Sequence, residues 1–148
     1  MKVYIIDTNL LFSAIINPES LFSHFFRSIP PSSVDLFAPS KLLFELEEKE
    51  SRMVLAGKID SETVRSRKLA CLQNITIVPD TEIPFDDYMS AIPLVRDVDY
   101  DDISFVALTN HLDGVLVTGD KKLAEGLRAK GYGSLLSFPE MLQQIGLI

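Results

Sequence analysis

Four acidic residues stand in four separate segments of this 148-residue sequence: Asp7, Glu45, Asp102 and Asp120. Asp7 closes the apolar run Lys2-Val3-Tyr4-Ile5-Ile6, and Asp120 closes Val115-Leu116-Val117-Thr118-Gly119. Both runs read as strands, and in a parallel α/β sheet sites are built at the carboxyl ends of the strands. Two like charges about 4 Å apart repel by roughly 4 kcal/mol at an effective dielectric of about 20. Four converging carboxylates would cost several times that unless protonated or neutralised. A hard divalent cation, Mg²⁺ or Mn²⁺, removes the cost, because such ions prefer oxygen ligands and retain waters. No His or Cys stands at a suitable spacing for zinc. The chemistry expected of such a centre is metal-assisted attack of water on a phosphodiester.

The elements that must position these acids alternate strand and helix, which favours a mainly parallel sheet of about five strands covered on both faces. Strands are expected at 2–6, 34–38, 74–78, 114–118 and 134–136. Helices are expected at 9–16, 19–28, 41–55, 60–72, 86–91, 102–112 and 121–130, with a last one opened by Ser137-Phe138-Pro139-Glu140. Pro30-Pro31-Ser32-Ser33 reads as a turn. Ser40 is placed to cap the 41–55 helix, and Gly57 and Gly131 to stop helices. In this arrangement Asp7 and Asp120 end parallel strands. Glu45 lies one turn into a helix that starts at the same edge, and Asp102 begins the helix leading into the fourth strand. All four placements agree on one edge of the sheet.

Each acid also has a plain structural reading. Asp7 and Asp120 can each cap the helix that follows, a role compatible with ligation. Glu45 shares its helix with Glu47, Glu48 and Glu50, of which Glu48 is its nearest rival. Asp102 competes with Asp99, and Asp101 reads as the helix cap. His24 and His111 lie on helices without an evident partner, and Cys71 reads as a small buried hydrophobe. Arg65, Arg67 and Lys68 cluster on one helix after Lys58, while Lys121 and Lys122 flank the acids. Either group could contact phosphate, or simply form a solvated face.

The chain length fits one domain over residues 1–148. Its net charge of −7 argues against a long basic groove and for weak, local contacts to any nucleic acid. One cysteine allows no internal disulfide and suits a reduced cytoplasm. No secretory leader and no run of about 20 apolar residues is visible, so no membrane association is expected.

Taken in order, Asp7-Thr8-Asn9, Ser40-x-x-x-x-Glu45-Leu46, Asp99-Tyr100-Asp101-Asp102 and Thr118-Gly119-Asp120-x-x-Leu123 resemble the motifs of a PIN domain, the PilT N-terminus-like and VapC-like ribonuclease family. The resemblance spans essentially the whole chain. It implies a three-layer α/β/α Rossmann-like fold and a Mg²⁺- or Mn²⁺-dependent ribonuclease. Asp7, Glu45, Asp102 and Asp120 would form its acidic quartet, Asp99 a supporting or alternative ligand, and Asn9 and Thr118 supporting polar groups. It further implies an RNA substrate, a homodimer and, as for VapC-like toxins, an antitoxin partner. A PIN-like binding module acting through protein contacts is the alternative, opposed by the completeness of the quartet. A phosphotransfer protein of the haloacid-dehalogenase type would need a second Asp two residues after Asp7, where this chain has Asn9.

Overall fold

The computed structural model describes residues 2–29 and 34–147. The turn expected at 30–33 lies outside the described residues. In chain order the elements are β1 (Val3–Ile6), α1 (Thr8–Ile16), α2 (Leu21–Ser28), β2 (Asp35–Pro39), α3 (Lys41–Glu48), α4 (Glu50–Gly57), α5 (Ser61–Leu72), β3 (Ile75–Val78), α6 (Phe85–Val95), α7 (Ile103–Leu112), β4 (Val115–Val117), α8 (Lys121–Ala129), β5 (Leu135–Leu136) and α9 (Phe138–Gln144). Single 3₁₀ turns at Asp80–Glu82 and Tyr100–Asp102 precede α6 and α7.

The sheet is wholly parallel, in the order β3-β2-β1-β4-β5. β1 is its centre, which explains its composition: a strand covered on both faces must be apolar throughout, and Tyr4, Ile5 and Ile6 are fully buried. The chain moves from β1 outward to β2 and β3, then crosses back to β4 on the other side of β1. The order therefore reverses between β1 and β4, where a crevice opens at the carboxyl rim of a doubly wound sheet. Right-handed crossovers in opposite directions put helices on both faces. One group is formed by α1, α2, α4 and α5 in mutual contact; α7 lies against β1, β2 and β4 on the other face, with α6 packed on it.

Register carries the argument from fold to site. Ile6 pairs with Val117, and the Asp7 amide donates to the Val117 carbonyl at 3.1 Å. Asp7 and Thr118 are thus level on adjacent strands. At the opposite rim, the end of α9 returns to the start of β1: Gln144 Oε1 accepts from Tyr4 Oη at 3.0 Å and from Lys2 Nζ at 3.2 Å.

Some boundaries depart from expectation. The helix expected over 41–55 is two helices broken at Lys49, where φ −91° and ψ 1° leave the α region. The residue after α4, Lys58, is left-handed at φ 53°, so Gly57 is the last helical residue instead of the stop. α6 runs to Val95 with Pro93 inside it. Pro93 is exposed in the last turn, so the Met89 carbonyl deprived of its amide partner is accessible to water. His111 is not without a partner: its Nδ1 lies 3.4 Å from Asp87 Oδ2. Cys71 is buried, and burial pushes its thiol up to about 11, as for an inert core residue. Among the described residues no helix is long and apolar enough to cross a membrane.

Candidate active site

Asp7 leaves β1 in an extended conformation and caps α1, its Oδ1 accepting the Thr8 amide at 2.8 Å. Its Oδ2 accepts the Thr118 hydroxyl at 2.5 Å. That hydroxyl in turn accepts the Asp120 amide at 3.0 Å. Asp120 caps α8 through Oδ1, which accepts the Leu123 amide at 3.1 Å. The capping readings of both acids are therefore correct, and each carboxylate retains lone pairs beyond its cap. Asn9 closes the same crevice, its Oδ1 accepting the Gly119 amide at 3.4 Å.

Glu45 reaches back from α3 to the start of α1, where Thr8 Oγ1 donates to its Oε1 at 2.8 Å. Thr8 thus fixes two acids at once: its amide serves Asp7 and its hydroxyl serves Glu45. The sequence signal for Thr8 is its position between Asp7 and Asn9. Glu48, the rival, is exposed, whereas Glu45 is half-buried.

Asp102 occupies the position before α7 but makes no cap bond. Asp101 does not cap either. The 3₁₀ turn delays the start of the helix to Ile103, and it is Asp99 that caps the turn, its Oδ1 accepting the Asp101 amide at 3.0 Å. Asp102 is buried, and its Oδ2 has no hydrogen-bond partner among the described residues. A buried carboxylate oxygen without a partner costs free energy in either protonation state, so the atom points to a ligand from outside the chain.

The electrostatics bring the remaining acids to the same place. Burial, then the charges of Asp7, Asp99, Glu45 and Asp120, push the Asp102 carboxyl up to about 8. Burial also raises Asp7, to about 6; the Thr118 and Thr8 hydrogen bonds oppose the rise, and Glu45 and Asp120 add to it. No lysine or arginine is among the groups acting on either carboxyl. Burial without a compensating cation, with like charges converging, is the signature of a functional carboxylate cluster.

The donor set fits a hard divalent cation. It consists of carboxylate oxygens, one of them buried and unpartnered, and such oxygens suit Mg²⁺ or Mn²⁺. Among the described residues, no three Asp, Glu, His or Cys side chains form a ready ligand group around one point. An ion here would share its coordination with water, as Mg²⁺ ordinarily does.

The basic residues divide. Arg65 is held by Glu50 at 3.0 Å, and Arg67 donates to the Ile15 carbonyl at 3.0 Å, so both serve the packing of α5. Lys121 and Arg128 line a pocket of about 190 Å³ with Thr118, Asp120, Glu125 and Ser137, and Arg128 Nη2 also lies 3.5 Å from Glu140 Oε1. Of the four acids, only Asp120 shares this pocket with them.

Sequence reasoning also missed Asp80. Its carboxylate accepts the Lys41 amide through Oδ1 and the Ser104 hydroxyl through Oδ2, each at 3.2 Å. Ser40 does not cap α3 as expected; its side chain accepts the Asp80 amide at 2.9 Å, and Asp80 takes over the cap. The signal was present, since Asp80 stands two residues after β3, close to the strand end as Asp7 is at the end of β1.

Comparison with known proteins agrees with this architecture. No curated protein sequence matches the chain. VapBC2 from Rickettsia felis, in a crystal structure bound to a DNA fragment from their promoter, is similar with a TM-score of 0.66 and 15% identity, over 91% of this chain and 96% of that one. PAE2754 from Pyrobaculum aerophilum is similar with a TM-score of 0.71 and 16% identity, over 99% of this chain and 91% of that one. At these identities the likeness is one of fold. The sequence pattern of the PIN domain matches residues 5–138. The chain belongs to the PIN domain family.

Proposed function

We propose that this protein is a divalent-metal-dependent endoribonuclease and the toxin of a toxin–antitoxin pair, acting as a homodimer of one-domain chains. The observation that carries the reading is the buried, unpartnered Oδ2 of Asp102 in the combined field of Asp7, Asp99, Glu45 and Asp120. Mg²⁺ or Mn²⁺ would be held by Asp7, Glu45, Asp102 and Asp120, with Asp99 as supporting or alternative ligand. When bound, such an ion stabilises charge developing on a phosphodiester and lowers the pKa of a coordinated water. The chain supplies orientation. Thr118 and the Thr8 amide fix both oxygens of Asp7, the Thr8 hydroxyl fixes Glu45, and the α8 cap fixes Asp120. Lys121 and Arg128, in the pocket they share with Asp120, would contact a flanking phosphate of the RNA and so limit the penalty of a net charge of −7. The likeness to VapBC2 supports an antitoxin as partner.

The deciding experiment is cleavage of structured and unstructured RNA with Mg²⁺, Mn²⁺ or EDTA, comparing the wild type with Asp7→Asn. Cleavage should need the ion and vanish in the variant. Cleavage that survives EDTA or the substitution would overturn the assignment. Induced expression should arrest growth in the wild type and not in Asp7→Asn; growth unaffected by the wild type would remove the toxin reading. Failure of Mn²⁺ to raise the melting temperature would leave a binding module acting through protein contacts.

A further inference from the structure

We infer that Asp80 is a positioning residue of the acid site: it clasps the first turns of the two helices that carry Glu45 and Asp102. The inference rests on the nuclease reading for its functional consequence, while the clasp itself stands on geometry. Asp80 follows β3 by two residues and so lies at the same rim as the other acids. Both its carboxylate oxygens are taken up by bonds to α3 and α7. It acts through others.

Every polar group of Asp80 is engaged in holding elements together. Oδ1 takes the amide of Lys41, the first residue of α3, one turn before Glu45. Oδ2 takes the hydroxyl of Ser104, two residues after Asp102. The Asp80 amide donates to Ser40 Oγ at 2.9 Å, and its carbonyl accepts Tyr88 Oη of α6 at 2.7 Å. Neither α3 nor α7 has a side-chain cap of its own at the preceding residue. A single carboxylate from the turn after β3 therefore anchors both starts and sets the separation of the two acids they carry. A carboxylate is also favourable beside the α3 N-terminus, where the helix dipole is positive.

Side-chain chemistry separates this role from that of a charged ligand. Asparagine is isosteric with aspartate, and both bonds survive in it. Its Oδ1 can accept the Lys41 amide, and its Nδ2 can donate to Ser104 Oγ. Alanine removes both. Asp80→Ala should speed hydrogen exchange of the Lys41 amide and of the first turn of α7 together, in metal-free protein, while the first turns of α1 and α8 keep their protection. It should weaken Mn²⁺ binding, followed by electron paramagnetic resonance, by about tenfold or more, as loss of a partner behind a ligand does. Asp80→Asn should restore both. Ser104→Ala, the milder variant, should loosen α7 and leave Lys41 protected.

Unchanged exchange at both helices in Asp80→Ala would overturn the clasp. Mn²⁺ affinity lost as fully in Asp80→Asn as in Asp80→Ala would overturn it in favour of a direct role for the charge. If the wild type itself binds no Mn²⁺, it is the metal reading of the site that fails, and the exchange measurement still decides the clasp.

Discussion

The hydroxyl of Thr118 donates to Asp7 Oδ2 across 2.5 Å, joining the ends of β4 and β1 in the crevice between them. The same oxygen accepts the Asp120 amide, so one buried hydroxyl orients two acids. Thr118→Val keeps the shape and removes both bonds. It should raise the Asp7 pKa further above about 6, since the Thr118 bond opposes the rise. Stability should fall by about 1–3 kcal/mol, the cost of stripping a buried polar partner. Urea unfolding checks the loss, and Thr118→Ser should recover most of it.

The pH dependence of the metal-free protein has a definite sign. Asp7 and Asp102 bind protons more tightly folded than unfolded, with folded values of about 6 and about 8. Their contribution is complete below the unfolded value of about 4 and is lost as pH rises through the folded values. For Asp7 the loss is on the order of 3 kcal/mol. Melting temperature in EDTA should therefore fall between pH 5 and 9. A melting temperature that rises across this range would contradict the burial of the two carboxyls.

Asp102→Asn offers a sharper form of the same test. It removes a charge that the fold accommodates poorly at neutral pH. The metal-free variant should melt higher than the wild type at pH 8 and about equally at pH 5, while RNA cleavage is lost. Gain of stability with loss of activity is expected where a destabilised group serves function.

Thr8→Val releases Glu45 from its tether and leaves the Asp7–Thr8 amide bond in place. The fold should lose about 1 kcal/mol, the net worth of a typical hydrogen bond. Mn²⁺ affinity should fall by about tenfold or more, measured by the Mn²⁺ concentration that half-saturates the thermal shift.

Two glycines should respond in opposite ways. A Cβ on Gly114 would stand 2.9 Å from the Val3 carbonyl oxygen and 2.7 Å from Ile5 Cδ1. Gly114→Ala should cost about 1–3 kcal/mol through overpacking. At Gly119 a Cβ would meet nothing closer than 3.6 Å, so Gly119→Ala should fold with wild-type stability. A fall in RNA cleavage there, with the melting temperature unchanged, would place the substrate backbone against this residue.

The acids were legible because their positions follow from period and topology alone. Asp7 and Asp120 end β-branched runs, and Asp102 precedes an apolar helix. Asp80 was not read, though it too stands just beyond a strand, because its importance lies in contacts to Lys41 and Ser104 that no local pattern records. The break at Lys49 was equally hidden: Leu42, Leu46 and Met53 are all buried, and this helical spacing continues across the break as though it were absent. Pro93 illustrates the converse, where a strong local signal for a stop is overridden because the freed carbonyl is on the wet side of α6.

α9 closes back on the start of β1, at the end of the sheet opposite Asp7 and Thr118. Lys2 and Gln144 meet there, bonded side chain to side chain beside the start of β1. Breaking this contact, as in Gln144→Ala, would free α9 from β1 without touching any of the acids, so a change at one end of the central strand can be made separately from a change at the other.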